Sequence, residues 1–394
     1  MQLFMKKNTM TIAALAEQTL SFVELISRDL PDTRDPRGKR HTLVFTIVAF
    51  VLATLRGRRT LSGIHIFIKN HLDVLHELTN TPKGPPISRA HLPRLLARLD
   101  WSALDKLIER CFGIRIAQVS DSKIWVAIDG KALRGTLRGS ERQSLVLAVT
   151  HAKREVVGQI RQIGSKSSEI PVTRTLLSNT GLDKQNVSLD AHHCNPKTTT
   201  QINKAGGIHL VQVKENQEIL LTQCRTLAQS QPCLAEVTNH DKGHGRVTTR
   251  HAQIFSMAQV KLDTRWESSG LRTCVVIKRE TFEVTTKKNT FETSYYISNQ
   301  QIDAAKPETT LKELAQAVQN HWGVESDNWI RDVTFKEDSV KTKSGNQGQI
   351  MGRLRSLSMA LIRKISPKNF QATIDNFADS FSNMESMLRQ VKFL

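Results

Sequence analysis

The chain has 394 residues, 39% of them hydrophobic, and its 56 Lys and Arg residues exceed its 37 Asp and Glu residues, for a net charge of +19. This length predicts two or three domains with at least one well-buried core. The charge predicts a polyanionic partner, with nucleic acid as the first candidate and an ordinary basic surface as the alternative.

Cysteine spacing and apolar runs limit the cellular setting. The five cysteines form no CxxC pair and show no zinc-ligand spacing, which indicates a reduced, cytoplasmic environment. The longest apolar run, residues 43–55, is too short to span a bilayer and is expected to form a buried helix. No membrane partner is therefore expected.

Residues 1–118 are predicted to form an all-helical N-terminal domain. Apolar residues recur at helical spacing in 41–55, 63–78 and 89–112, with a Pro/Gly-rich break at 79–88. Two of these helices either form a helix-turn-helix that reads DNA or simply pack against each other as amphipathic helices.

From residue 121 onward the apolar residues alternate, as in β-strands. Three strands in a meander, then helix, strand, helix and strand, predict an α/β fold with a mixed sheet whose first part spans residues 119–217. A β-rich insertion is predicted at 218–300. The C-terminal part of the core, with the terminal helices, is predicted at 301–394.

Two aspartates close predicted strands. Asp129 ends the first strand and is followed by Gly130, a pair that suits either a tight turn or a functional site. Asp190 ends the strand 186–190, where it is either a metal ligand or a helix N-cap. Zinc binding by the following His192, His193 and Cys194 is disfavoured, because adjacent side chains on an extended segment point apart and no second Cys/His pair exists.

Glu325 is the third candidate acid. A capping box at Thr310 and Glu313 predicts the start of a helix. Helical spacing then predicts that Glu325 faces the sheet, whereas Asp327 and Asn328 fall on the flanks. The predicted inward stripe consists of Leu311, Leu314, Val318, Trp322, Glu325, Trp329 and Asp332. A carboxylate on that stripe would be costly unless it met cations.

Acids on two strands and a later helix can converge on one site. Carboxylate oxygens suit hard cations, so Mg²⁺ is the expected metal, with two ions expected and Mn²⁺ able to substitute. Two such ions can activate the attacking oxygen and stabilise the leaving oxygen in phosphodiester cleavage or transfer.

Several sequence blocks, in this order, resemble the signature blocks of the H-repeat-associated insertion-sequence transposases, a bacterial DDE group. The N-terminal helical segments also resemble that family, so the resemblance covers nearly the whole chain. The blocks are AIDGKALRG, SLDAHHCN, LVQVKENQ, DKGHGR and HWGVESDNWIRDVTFKED.

The resemblance implies an RNase H-like catalytic core with Asp129, Asp190 and Glu325 as catalytic residues and metal ligands. It also implies cleavage of double-stranded DNA at terminal inverted repeats, joining of the 3′-hydroxyl to a target, and a homodimer in a synaptic complex in the bacterial nucleoid. The family usually has Asn and His at the positions of Ser326 and Asn328.

Several basic side chains are candidate DNA contacts, with solvated loops and charged turns as the alternative. For His321 the alternative is packing beside Trp322, and for Trp322 and Trp329 the choice lies between stacking on a base and core packing. The candidate DNA-binding residues are Lys131, Arg134, Lys214, Lys242, Arg246 and His321.

Three functions are compatible with these residues. The first is an active transposase of an insertion sequence. The second is a stand-alone metal-dependent DNA nuclease on the same fold, which would cut DNA without joining ends. The third is a domesticated or inactive DNA-binding protein, for which the departures at Ser326 and Asn328 are the motivation.

Overall fold

The computed structural model describes residues 20–35, 37, 39–112, 123–138, 141–164, 169–243, 245–337 and 347–394, with only the backbone described at 132–138, 141–143 and 161–164. The chain divides into two compact units. One consists of Met1–Gly113 with Ile330–Leu394, and the other of Ile114–Trp329. The predicted division at residues 118, 217 and 300 stays a prediction, and the C-terminal helices group with the N-terminal ones.

The N-terminal part of the first unit is helical. Its helices are α1 (Phe22–Asp29), α2 (Leu43–Leu55), α3 (Leu61–Asn70), α4 (Leu72–Leu78), α5 (His91–Arg98) and α6 (Trp101–Phe112). Thr42 caps α2, with its side chain accepting a hydrogen bond from the Phe45 N–H. Every residue of α2 is buried, which confirms the expectation of a buried helix for this apolar run.

The second unit contains one mixed nine-stranded sheet. Its elements in chain order are β1 (Trp125–Arg138), β2 (Glu141–Thr150), β3 (Val156–Gly164), α7 (Glu169–Thr180), β4 (Asn186–Leu189), α8 (Pro196–Lys204), β5 (Ile208–Val213), α9 (Glu218–Ser230), β6 (Ala235–Gly243), β7 (Arg246–Ser256), β8 (Thr273–Glu283), β9 (Lys288–Ser298), α10 (Pro307–His321) and α11 (Gly323–Trp329). The strand order is β3-β2-β1-β4-β5-β9-β8-β7-β6. This arrangement confirms the predicted mixed α/β class.

The directions of the strands decide which residues of the sheet become neighbours. β1 runs antiparallel to β2, which runs antiparallel to β3, whereas β4 and β5 continue the sheet parallel to β1. The parallel pairing of β1 with β4 ends at Ile128 and Leu189, and β5 ends at Val213 on the same side. α/β sheets usually hold their ligands beyond the carboxyl ends of such parallel strands.

The predicted β-rich insertion does not form a sheet of its own. β9 pairs antiparallel with β5, from Leu210 opposite Ser298 to Val213 opposite Tyr295, so β6 to β9 extend the same sheet. Inward-facing apolar residues such as Ile254 and Val275 join the buried cluster that packs on this side of the sheet. Residues 218–230 of the predicted insertion form the helix α9.

The predicted capping box of α10 is wrong. The N-cap is Lys306, four residues before Thr310, and the helix begins at Pro307, whose fixed backbone angle suits the first helical position. The Thr310 hydroxyl instead accepts from the Asp303 N–H. The Glu313 carboxylate accepts from Trp125 Nε1 at 2.9 Å and is thus committed to the sheet.

The rest of the first unit begins with a π-helical turn at Ile330–Thr334 and continues with α12 (Gln347–Arg363), α13 (Phe370–Asp379) and α14 (Phe381–Gln390). α12 is buried on nearly all sides and carries buried arginines. Arg353 pairs with Asp105 at 2.5 Å and Arg355 lies 3.8 Å from Glu337. These cations serve the interior, so part of the net positive charge is not displayed to a partner.

No helix within the described residues is long and apolar enough to cross a bilayer.

Candidate active site

Asp129 and Asp190 lie side by side where the parallel pairing of β1 with β4 ends. β4 ends at Leu189, whereas β1 continues past Asp129 to Arg138, so the prediction that Asp129 ends the first strand is wrong. The register of β1 and β4 pairs Ile128 with Leu189, and each aspartate follows the last residue of its pair. Alternation and strand direction thus bring together two acids that are 61 positions apart in the sequence.

Asp129 is a half-buried carboxylate that the protein holds by two hydrogen bonds. Its Oδ1 accepts from the Gly130 N–H at 2.9 Å, and its Oδ2 accepts from Asn328 Nδ2 at 2.9 Å. Burial, with the charges of Asp190 and Glu169 added, raises the pKa of Asp129 to about 7. Negative charges are crowded here, an arrangement that a bound cation would relieve.

Asp190 both caps a turn and faces the acid cluster. Its Oδ1 accepts from the His193 N–H at 3.2 Å and so caps the short 3₁₀ turn at Ala191–His193. The helix α8 has a different cap, Asn195. The capping role predicted for Asp190 therefore applies to the turn rather than to the helix.

Two side chains from the VKENQ block hold the turn that follows Asp190. Asn216 Nδ2 donates to the Ala191 carbonyl at 2.7 Å, and Gln217 Nε2 donates to the Cys194 carbonyl at 2.8 Å. Their neighbour Lys214 is exposed. In this block, Asn216 and Gln217 hold the Asp190 turn, and Lys214 places one cation at the surface.

Glu169 is a fourth acid of this cluster, and sequence reasoning missed it. It is the first residue of α7, is 8% exposed, and accepts from His193 Nε2 at 3.1 Å. A Cβ atom built on Gly130 would lie 2.1 Å from Glu169 Oε1, so the carboxylate occupies the space over that glycine. An acid in a first helical turn carries no signal of its own, because the helix dipole favours acids there generally.

The prediction that Glu325 faces inward is wrong. α10 ends at His321 and α11 begins at Gly323, so the helical phase carried through Val318 is lost at Trp322. Glu325 is exposed, and the buried acid of α11 is Asp327, at 3%.

Glu325 nevertheless belongs electrostatically to the cluster. Partial burial raises its pKa, the charge of Asp190 adds to the effect, and Lys214 opposes it. The charge of Asp190 thus raises the pKa of both Asp129 and Glu325. Glu325 lies at the solvent boundary of this acid cluster.

Arg154 helps to hold α11. Its guanidinium lies 3.9 Å from the buried Asp327, and a Cβ on Gly323 would approach Arg154 Nε to 3.1 Å. The start of α11 is therefore packed under an arginine from the turn between β2 and β3. Later in the same helix, Asn328 donates to Asp129 and Trp329 is 61% exposed.

His321 lies inside the protein and not on a DNA-facing surface. Its Nδ1 lies 2.9 Å from the Ser188 hydroxyl, which in turn is 2.8 Å from His151 Nε2. Burial lowers the pKa of His321 to about 4 and that of His151 to about 3. The ring also packs edge-on against Trp322, so the packing alternative describes this residue.

The other candidate DNA contacts are dispersed. Lys131 is 4% exposed, which places it away from a phosphate at the surface, and the side chain of Arg134 lies outside the described residues. Lys242 and Arg246 are exposed on β6 and β7, at the far end of the strand order from β1. The charge of the exposed Lys214 lowers the pKa of Glu325, so this lysine lies near a predicted catalytic acid.

The donor set fits a hard cation by its chemistry, since Asp129, Asp190 and Glu325 all present carboxylate oxygens. Within the described part of the chain, no three His, Cys, Asp or Glu side chains are grouped so that they could hold a metal ion as they stand. Glu325, which is exposed, is the acid with room to reorient.

Comparisons with known proteins agree with the resemblance seen in the sequence blocks. The DDE_Tnp_1-associated family model matches residues 27–111. The chain is 28% identical over 349 residues to the "H repeat-associated putative transposase YhhI" of Escherichia coli strain K12, covering 84% of this chain and 88% of that protein. It is 26% identical over 352 residues to the "Putative transposase YncI" of Escherichia coli O157:H7, covering 85% of each. The predicted resemblance is confirmed, and over 84% of its length the chain is similar to a protein named as an H repeat-associated putative transposase.

Proposed function

We propose that this protein is a transposase that cuts DNA at the terminal inverted repeats of an insertion sequence and joins the freed 3′-hydroxyl to a target. The observation that carries the proposal is the placement of Asp129 and Asp190 next to each other, each directly after the last residue of the parallel β1–β4 pairing. Relatives named as transposases support the same reading.

An RNase H-like core is part of the proposal. The meander β1–β3 followed by the parallel strands β4 and β5, with α7 and α8 between them, supports a mixed sheet flanked by helices. Asp129, Asp190 and Glu325 would then serve as the Asp-Asp-Glu triad. Each of the three comes from a different element of the same unit.

We further propose that Asp129, Asp190 and Glu325 hold Mg²⁺. When bound, the cations would supply activation of the attacking oxygen and stabilisation of the leaving oxygen. The raised pKa of Asp129 supports a cation here, since a nearby positive charge would favour its ionised form. The exposed Glu325 would complete the site by reorienting its side chain.

The other residues have supporting roles. Asn328 holds Asp129 in one orientation through its amide. Lys214, exposed beside Glu325, is placed to meet a backbone phosphate. The net charge of +19 supplies the long-range attraction to DNA.

The test uses purified protein, Mg²⁺ and a DNA duplex that carries the inverted repeats flanking the gene. We expect strand cleavage at the repeat end and a joined product with target DNA. Asp129→Asn, Asp190→Asn and Glu325→Gln should each lower cleavage at least about 100-fold, the order expected when an essential electrostatic group is removed.

Glu313→Gln is the matched control, because Glu313 is an exposed acid on α10 whose hydrogen bonds go to Trp125 and Gln300. Wild type and the three acid variants behaving alike would sink the catalytic proposal. Cleavage without any joined product would instead identify a stand-alone nuclease. DNA binding without cleavage would identify the domesticated form.

The proposed homodimer has its own measurement. Two transposon ends must be processed together, so we expect a complex of two protein copies with two end duplexes. Native gel electrophoresis with end duplexes of two lengths distinguishes it, since a paired complex gives a mixed species of intermediate mobility. Its absence under cleaving conditions would exclude synapsis.

A further inference from the structure

We infer that Glu169 and His193 form a positioning pair that fixes the Asp190 turn beside Asp129. This inference rests on the proposed function, because positioning matters only if Asp190 acts in a reaction. Neither residue belongs to the triad.

The first observation is the burial of the pair. His193 is fully buried and Glu169 is 8% exposed, with Glu169 Oε1 accepting from His193 Nε2 at 3.1 Å. A buried carboxylate is costly unless hydrogen bonds or cations compensate. The dipole of α7 favours an acid in the first turn of that helix, which explains the position of Glu169. It does not explain why the Glu169 carboxylate is buried against the acid cluster.

The second observation is the chain of contacts that leads from Glu169 to Asp190. The His193 ring is held by Glu169, while the His193 backbone N–H donates to Asp190 Oδ1 at 3.2 Å. One residue therefore connects α7 to the proposed catalytic aspartate. Fixing its ring fixes the turn whose N–H groups orient Asp190.

The third observation is the space over Gly130. Any side chain at that position would meet the Glu169 carboxylate, since a Cβ there lies 2.1 Å from Oε1 and 2.2 Å from Cδ. Gly130 directly follows Asp129 on β1. The glycine thus allows Glu169 to lie against the part of β1 that carries the first acid, and the pair contacts both the Asp129 segment and the Asp190 turn.

The hydrogen bond, rather than the charge, carries the role. Glu169→Gln keeps an acceptor at Oε1 for His193, whereas Glu169→Ala and His193→Phe remove one partner each. Loss of residues that orient a reacting group typically costs about 10–100-fold. We therefore expect Glu169→Ala and His193→Phe to slow DNA cleavage about 10–100-fold, with Glu169→Gln within about 3-fold of wild type on the same scale.

Two further variants keep the inference falsifiable if an alanine variant folds poorly. Gly130→Ala should displace the Glu169 carboxylate and reproduce the defect of Glu169→Ala. The double variant Glu169→Ala/His193→Phe should be no slower than either single variant, because partners in one contact are not additive. Glu313→Gln should leave the rate unchanged.

Two measurements are independent of cleavage. In ¹⁵N-histidine spectra the slowly exchanging His193 Nε2–H should persist in Glu169→Gln and disappear in Glu169→Ala. Calorimetric Mn²⁺ affinity should fall in Glu169→Ala and stay near wild type in Glu169→Gln.

The outcomes separate two failures. No cleavage by wild type would overturn the proposed function, while the spectra and the Mn²⁺ titration would still decide on the pair. A Glu169→Gln variant as defective as Glu169→Ala, or additive single variants, would overturn the positioning role and assign the carboxylate charge itself to the site.

Discussion

Asn328 Nδ2 donates a 2.9 Å hydrogen bond to Asp129 Oδ2 across 199 positions of sequence. The sequence marked Asn328 only as a departure from the family, which usually has His at that position. The structure shows this amide in contact with the first proposed catalytic acid. A departure is thus compatible with a working site, since an amide N–H can make the bond that an imidazole N–H would make.

Removing this bond should slow DNA cleavage. We expect Asn328→Ala to lower the rate about 10–100-fold, with little loss of DNA affinity, because the residue acts on Asp129 and not on DNA. Asn328→His should retain a donor and most of the rate. Single-turnover cleavage assays measure both, and equal rates for Asn328→Ala and wild type would assign no role to the amide.

The pKa of Asp129, raised to about 7, predicts a pH effect on stability in EDTA. A carboxyl with a raised folded-state pKa binds more protons when folded, so its contribution to stability falls as pH rises from about 4 to about 7. Asp129→Asn should therefore be more stable than wild type at pH 8, by on the order of 1–3 kcal/mol, and equal to it near pH 4.

Thermal unfolding of both proteins across pH checks this prediction. Burial lowers the pKa values of His151 and His321, which act in the opposite sense and cost stability as pH falls below about 6.5. Both proteins share that contribution, so it cancels in the difference. Mg²⁺ at pH 8 should raise the Tm of wild type more than that of Asp129→Asn. Parallel pH curves would refute the account of Asp129.

Trp329 is expected to contact DNA bases and not to stabilise the fold. It is 61% exposed, whereas Trp266 is 1% exposed. Trp329→Ala should cost about 1–3 kcal/mol of affinity for end DNA, the usual contribution of base stacking, with an unchanged Tm. Trp266→Ala should lower the free energy of unfolding by about 3–5 kcal/mol. Fluorescence anisotropy and thermal melts separate the two, and unaltered binding by Trp329→Ala would restrict this residue to another role.

DNA affinity should fall steeply with salt. Each lost phosphate contact lowers the slope of log affinity against log salt by about 1, so we expect that change for Lys214→Ala. Lys261→Ala, which removes an exposed lysine between β7 and β8, is the control and should leave the slope unchanged. An affinity that does not change with salt would contradict the prediction that the net positive charge drives DNA binding.

His321 should prove structural. His321→Ala leaves Ser188 without its ring partner, so we expect a loss of about 1–3 kcal/mol of stability. DNA affinity measured below the lowered Tm should match wild type. A variant with normal Tm and weakened DNA binding would instead restore His321 as a phosphate contact.

Much of the fold could be read from local patterns. Alternation and helical periodicity of the apolar residues located β1 to β5 and the helices between them. Burial of one face of a strand or helix requires apolar residues at a regular spacing, and that spacing is visible in the sequence. The end of β4 next to Asp190 was equally visible, whereas the end predicted for the first strand at Asp129 is wrong, since β1 continues to Arg138. The parallel β1–β4 register brings the two aspartates together, because the pairing ends directly before each of them.

Tertiary structure decided that Glu325 is exposed and that Glu169 lies next to Asp129. A break of one residue at Trp322 resets the helical phase, and no repeat in the sequence announces it. Glu169 joins Asp129 only because α7 packs over Gly130, a contact between elements that local propensity does not encode. The sequence by itself determined which aspartates follow apolar, alternating runs and which family the blocks resemble. Long-range packing determined where each strand ends and which side chains surround those acids, because burial and charge depend on neighbours that are distant in the chain.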